Sequence, residues 1–214
     1  MQRGLWFVCV LVLVSGCTAT PTARFALGDV VQQVDFSRSF MWQEYVHPEQ
    51  NVEFAIEDGF YRAKAWDGGF MWVIQPPAFT DTVIEVEATQ LSEERNNAYG
   101  VMCRAAPTDN SNGYYFLISG DGEFTIRRGA VDEIGALIPW TSTSAVRQDK
   151  GVNRIRAVCI GDYLALYVNG EFVAETRDDY FSRGYTGLSA AVVKGGDADI
   201  AFDDLTVWEA SLLP

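Results

Sequence analysis

The chain has 214 residues, 48% of them hydrophobic and 21% charged, with a formal net charge of -13. That balance excludes nucleic acid as a partner, because phosphates call for Lys and Arg. It also excludes a basic membrane-binding patch, and it fits a soluble exported protein.

Arg3 gives a positive start, residues 5–14 (LWFVCVLVLV) form an uncharged apolar run, and Ser15-Gly16 supply small residues. This is the layout of a secretory signal, and the run falls short of the roughly 20 apolar residues that a membrane span needs. Val14-Ser15-Gly16-Cys17 resembles the bacterial lipobox. The resemblance implies cleavage before Cys17, acylation of that cysteine, and a membrane anchor held by several acyl chains. Thr18, rather than Asp, follows the cysteine, which implies sorting to the outer membrane in a cell that has one. The signal contains one Arg and no acid, so processing makes the chain one unit more negative. Residues 18–22 (TATPT) read as a flexible tether. The expected organisation is a signal over 1–16, a lipidated N-terminus and tether over 17–30, a sandwich over 31–209 and a tail over 210–214. About 180 residues remain to fold, enough for one core and one domain.

No stretch carries sustained helical periodicity. Short β-type runs broken by Gly, Asn and Asp predict strands at 52–56, 60–65, 70–75, 82–91, 98–105, 113–119, 123–128, 153–160, 163–169, 171–176, 184–193 and 199–208. Such spacing reads as an all-β sandwich or barrel, while residues 35–51 carry mixed signals. Two turns set register. Gly120-Asp121, read as a two-residue loop, places Leu117 opposite Phe124 and Tyr115 opposite Ile126 as core. Tyr114, Phe116 and Arg127 then fall on the other face. Asn169-Gly170 is a strong hairpin signal and places Tyr167 opposite Phe172 and Leu166 opposite Val173. Both faces of that hairpin are partly apolar, as in a strand covered on both sides.

Of four cysteines, Cys9 leaves with the signal and Cys17 carries lipid. Cys103 shares alternation parity with Tyr99 and Val101, and Cys159 with Ile155 and Ala157. Both therefore point to an apolar face, and in an oxidising compartment a disulfide between them is expected.

From Asn51 onward the order of runs resembles the concanavalin A-like lectin/glucanase superfamily, which includes laminin-G-like domains. The carriers include Gly59-Phe-Tyr-Arg62, Thr82-Val-Ile-Glu-Val-Glu87, Gly113-Tyr-Tyr-Phe116, Asn153-Arg-Ile-Arg156, Leu166-Tyr-Val-Asn-Gly170, Gly184-Tyr-Thr-Gly187 and Phe202-Asp-Asp-Leu-Thr-Val207. The resemblance implies an antiparallel jelly-roll sandwich of two sheets, with one curved face used for glycans. It extends to the 3-keto-disaccharide hydrolase-like domains. It also implies a structural calcium ion near Asp35 and Asp203 or Asp204, since hard oxygen ligands suit calcium.

Glu85-Val-Glu87 matches two of the three spaced acids of the glucanases, with Thr89 in place of the third. Ile84, Val86 and Ala88 alternate with them, so the pair reads as the solvent face of a half-buried strand. His47, the only histidine, reads as a surface loop residue, and no Gly-x-Ser-x-Gly elbow is present. The expected glycan face displays Arg104, Tyr114, Phe116, Arg127 and Arg156, with Trp140 in a Pro139-Trp140-Thr141 loop as a second aromatic plate. The function that follows is a lipid-anchored extracytoplasmic domain that binds carbohydrate or acts as an interaction module at the cell envelope. The alternatives are a glycoside-cleaving enzyme of the 3-keto-disaccharide hydrolase type and a purely structural envelope domain.

Overall fold

A computed structural model describes residues 20–37, 42–107, 111–131 and 133–214. The lipobox, Cys17 and Thr18 lie outside the described residues. The strands are β1 (Phe25–Val34), β2 (Tyr45–His47), β3 (Val52–Glu57), β4 (Phe60–Trp66), β5 (Phe70–Phe79), β6 (Thr82–Gln90), β7 (Asn97–Ala105), β8 (Gly113–Ile118), β9 (Glu123–Ala130), β10 (Glu133–Ser142), β11 (Asn153–Ile160), β12 (Tyr163–Val168), β13 (Glu171–Arg177), β14 (Gly184–Val192) and β15 (Asp197–Leu212). They form the two antiparallel sheets of a sandwich. The nine-stranded sheet runs β13-β12-β11-β6-β15-β4-β3-β2, and the six-stranded sheet runs β10-β9-β8-β7-β14-β5. The long β15 changes neighbours midway. β4 pairs with its first half, through Ala201↔Arg62, and β1 with its second, from Val34↔Leu205 to Phe25↔Leu212.

The main core lies between the sheets, and period-two alternation decides what enters it. Tyr99, Val101 and Cys103 of β7 face Ile155, Ala157 and Cys159 of β11, all fully buried. Cys103 and Cys159, 56 residues apart in sequence, are joined by a disulfide that staples one sheet to the other. Near one edge, Tyr61 stacks between Phe36 and Phe54 at 5.3 and 5.1 Å and donates its hydroxyl to the Gln43 carbonyl at 2.5 Å. This aromatic stack gives order to a region whose sequence signals were mixed.

Three strands depart from the sequence pattern. β1 occupies part of the expected tether and pairs with the expected tail. Its alternation is broken by two register shifts, between Leu27 and Val30 and between Val30 and Gln32, so no simple period marks it. β10 holds Trp140 in a strand, not a loop. It is the outermost strand of its sheet, where Pro139 loses no ladder bond, and it too carries two register shifts. β2 spans only three residues.

The β8–β9 register is corrected. Its loop holds three residues, not two: the Ser119 N–H donates to Glu123 O at 2.9 Å, and Gly122 takes φ +97°. Phe116 therefore faces Ile126 and Ile118 faces Phe124. A one-residue slip flips every side chain, so Tyr114 and Phe116 enter the main core while Tyr115 and Leu117 lie on the outer face of their sheet. The Asn169-Gly170 turn does take positive φ at both residues and sets Tyr167 opposite Phe172. A bulge then places Leu166 opposite Ala174 instead of Val173. Both faces of β12 are covered: Leu164, Leu166 and Val168 lie in the main core, and Tyr163 and Ala165 in a second cluster outside the sheet.

A disulfide closing a loop of this length stabilises by about 4 kcal/mol through the unfolded chain. Urea unfolding of a Cys103→Ala/Cys159→Ala variant is expected to show a loss of about that size, with the midpoint falling accordingly.

Candidate functional site

The expected glycan-face residues do not converge. Arg104 is 2% exposed and takes φ +51°. Its guanidinium donates to the carbonyls of Thr80 (3.0 Å), Gly161 (2.7 Å) and Phe181 (2.9 Å) and pairs with Asp81 at 3.3 Å. It is a clasp joining three loops at one end of the sandwich. Burial pulls its pKa below the usual arginine range, and the Asp81 carboxylate opposes that pull. Tyr114 is buried. Its hydroxyl donates to Asp178 Oδ1 at 2.5 Å and accepts from the Phe181 N–H at 3.1 Å. Burial, helped by the Asp178 carboxylate, pushes the phenol up to about 12. Phe116 is core. Trp140 stands 37% exposed on β10. Arg127 lies on the outer face of the six-stranded sheet, opposite Tyr115, and donates to Ile134 O at 3.0 Å. Arg156 lies on the other sheet altogether.

Arg156 belongs to a charged groove of about 300 Å³ above β6, β11 and β12. Here the strand register brings Glu85 opposite Arg156 and Glu87 opposite Arg154. Arg156 Nε lies 2.6 Å from Glu85, and Arg154 Nη2 lies 2.5 Å from Glu87. The acid pair thus sits on a central strand and is engaged by arginines, with Tyr167 and Asn169 on the rim.

Asp203 and Asp204 lie where β15 breaks register, and Asp203 Oδ1 accepts the Asp204 N–H at 2.8 Å. Asp35 accepts from the Ser37 N–H and hydroxyl at 3.1 and 2.9 Å. Burial raises the Asp203 pKa, reinforced by the negative charges of Asp204, Asp35 and Glu87. Among the described residues, no group of three or more His, Cys, Asp or Glu side chains is placed to hold a metal ion.

A larger cleft, of about 550 Å³, opens where β2 at the edge of one sheet approaches β5 at the edge of the other. Alternation along β5 sends Met71 and Val73 into the core and turns Phe70, Trp72 and Ile74 outward. Phe70 lies 5.2 Å from Trp72 and 6.0 Å from Tyr115, ring to ring, so the wall is a packed aromatic surface. Tyr185 of β14 and Pro107 extend it, and Gln43, His47 and Gln50 supply a polar rim. Tyr45 ties the two edges together by donating to the Trp72 carbonyl at 3.1 Å. Burial pushes its phenol up to about 12. His47 ends β2 rather than sitting in a loop. Its ring lies 4.9 Å from that of Tyr45, and its Nδ1 lies 3.1 Å from Glu49. The sequence reading missed Phe70 and Trp72, although their alternation with Met71 and Val73 was there to be read.

The architecture defines a concanavalin A-like, galectin-like β-sandwich. The carbohydrate-binding module CBM66 from Bacillus subtilis superposes with a TM-score of 0.64 at 19% identity, covering 79% of this chain and 96% of the module. A Bacillus subtilis protein of unknown function with a galectin-like fold gives 0.65 at 12% identity, covering 87% and 99%. A LamA variant from Z. galactanivorans, solved in complex with laminaritriose and laminaritetraose, gives 0.60 at 13% identity, covering 86% and 100%. The chain belongs to the 3-keto-alpha-glucoside-1,2-lyase-like domain family, whose model matches residues 35–207. A search of curated protein sequences found no match.

Two outcomes are expected. Replacing Arg104 with Leu strands the three loop carbonyls and leaves Asp81 with the Gly161 N–H at 2.8 Å but without its cation. Loss of such a buried, charge-assisted network costs about 3 kcal/mol, readable in urea unfolding. Tyr45 and Tyr114 have folded pKa values above the ordinary 10. The stability they contribute is complete below pH 10 and is lost as pH rises toward 12. Thermal melts at pH 9, 10.5 and 11.5 are expected to show a progressive fall.

Proposed function

We propose that this chain is an exported, lipid-anchored domain that binds carbohydrate in the β2–β5 cleft. The observation that carries the reading is the outward aromatic wall of Phe70 and Trp72 facing a polar rim of Gln43, His47 and Gln50. A sugar ring has an apolar face and a hydroxyl edge, and a cleft of this size with a few convergent polar groups suits it. The disulfide fits an oxidising compartment. The lipobox resemblance at Cys17 supplies the anchor. The fold shared with CBM66 and with the laminari-oligosaccharide complex of LamA supports the same ligand class.

A second reading follows from the family: elimination across C1 and C2 of a 3-keto glucoside. A ketone at C3 makes the C2 proton acidic, and a base must remove it as the C1 substituent leaves. In the cleft, the candidate base is the His47 imidazole, held by Glu49. The Glu85–Glu87 groove supports catalysis less well, because arginines engage both carboxylates.

A glycan array probed with the purified protein, followed by incubation of the hits and of 3-keto glucosides, separates the readings. Trp72→Ala is expected to weaken binding about tenfold or more, the value of one lost aromatic platform, while Trp140→Ala leaves it unchanged. Product release that disappears in His47→Ala, with binding retained, would establish the lyase reading. Failure of every glycan to bind would overturn the binding reading, and failure of every 3-keto glucoside to release product would overturn the lyase reading.

A further inference from the structure

The face of the nine-stranded sheet turned away from the core carries an apolar region outside the carbohydrate cleft. Register places Phe25 beside Leu212, Leu27 beside Ala210, Val30 beside Trp208, and Trp208 beside Val83. Paired residues share a face, so these side chains lie together on the outer side. Part of the region is covered: Val83 and Tyr163 are buried there, and Phe25 packs edge-on against Tyr167 at 6.0 Å. The rest is open. Leu27, Val30 and Leu212 are 44%, 52% and 37% exposed, and Leu213 next to them is 43% exposed.

The chain enters the domain at this place. The Thr22 N–H donates to Glu175 Oε2 at 2.9 Å, and the same oxygen accepts the Tyr163 hydroxyl at 2.8 Å. The Leu213 N–H donates to the Arg24 carbonyl at 2.8 Å. From Thr22 onward the polypeptide is therefore fixed to the sheet. Only five residue steps separate Thr22 from Cys17, at most about 18 Å of fully extended chain.

We propose that the β1–β15 corner of this outer face rests on the bilayer to which Cys17 is anchored, with Leu27, Val30 and Leu212 seated in the lipid interface. The inference rests on the lipid-anchor reading. A leash this short keeps the fixed point close to the headgroups. Along the strand that starts three residues after it, Leu27 and Val30, with Leu212 opposite Phe25, are aliphatic and open to water, which is the surface that gains by entering an interface. The chain is acidic overall, so contact is stronger with zwitterionic than with anionic lipid.

The test uses the processed full-length protein in phosphatidylcholine vesicles containing brominated lipid. A fluorophore is placed at Val30→Cys or, as control, at Val131→Cys, which is exposed in the β9–β10 turn of the opposite sheet. Mass spectrometry reads acylation of Cys17 separately. The expected result is an acylated Cys17, strong quenching at position 30 and none at 131. A further Leu27→Ser/Leu212→Ser change is expected to reduce the quenching at position 30 severalfold without altering acylation, and 30 mol% phosphatidylglycerol is expected to weaken it. An acylated protein with no quenching at position 30 overturns the docking and leaves the anchor standing. So does equal quenching at both positions, or self-association through this face that shields position 30 from lipid. An unacylated Cys17 overturns the anchor and the docking together.

Discussion

Both sheets of this sandwich hold apolar side chains on both faces, and only the inner faces can be buried by the partner sheet. The hydrophobic surplus outside has to be covered by other means, because apolar area left in water forfeits about 25 cal/mol per Å². The nine-stranded sheet covers part of its surplus with Phe25 and Ala23 at the N-terminal end of the fold, packed over Val83, Val158 and Tyr163. The six-stranded sheet covers Met102, Tyr115 and Leu117 with a layer of its own long side chains, Phe70, Trp72, Ile134 and Tyr185. That aromatic layer is also the wall of the cleft. The candidate site is thus a by-product of how the sheet protects its outer side, which is why its aromatics are packed and pre-ordered rather than free to swing.

Much of the fold was legible in the chain. Parity along two strands aimed Cys103 and Cys159 at an apolar face together with Tyr99, Val101, Ile155 and Ala157, and an even pair of cysteines in an oxidising compartment implied the bond, as found. The Asn169-Gly170 turn set its first pair correctly because both residues must take positive φ, a local demand that few dipeptides meet. What was not legible depended on single-residue insertions. Gly120-Asp121-Gly122 holds two glycines, and composition alone does not fix whether the loop has two residues or three. The choice decides whether Phe116 or Tyr115 faces the core. The bulges in β1 and β10 hid those strands for the same reason.

The site was less legible than the fold because its residues meet through topology. β2 and β5 are the edge strands of different sheets, and nothing local in Tyr45-Val-His47 or Phe70-Met-Trp72 says that they approach each other. Arg104 shows the opposite error. An arginine in an alternating strand reads as a solvent-facing group, yet Arg104 takes φ +51° at a register shift, which breaks the alternation, and three loops receive its guanidinium as an internal tie. Alternation gives the direction of a side chain only where the ladder is regular; a bulge redirects it, and what it then meets is decided by connections far away in sequence.

The placement of β1 on β15 has a mechanical corollary. Phe25, the first residue of the strand, pairs with Leu212, close to the last residue of the chain. A pull applied at the N-terminus would load the Thr22–Glu175 and Arg24–Leu213 bonds first, then reach that pair and open the ladder one rung at a time, like a zipper, rather than shearing all rungs at once. About 33 Å of slack would be released as the ten residues of β1 came free. The bond between Cys103 and Cys159 lies outside the loaded ribbon and would still clamp the two layers. Under tension the fold would therefore lengthen by yielding its first strand before the remainder gave way.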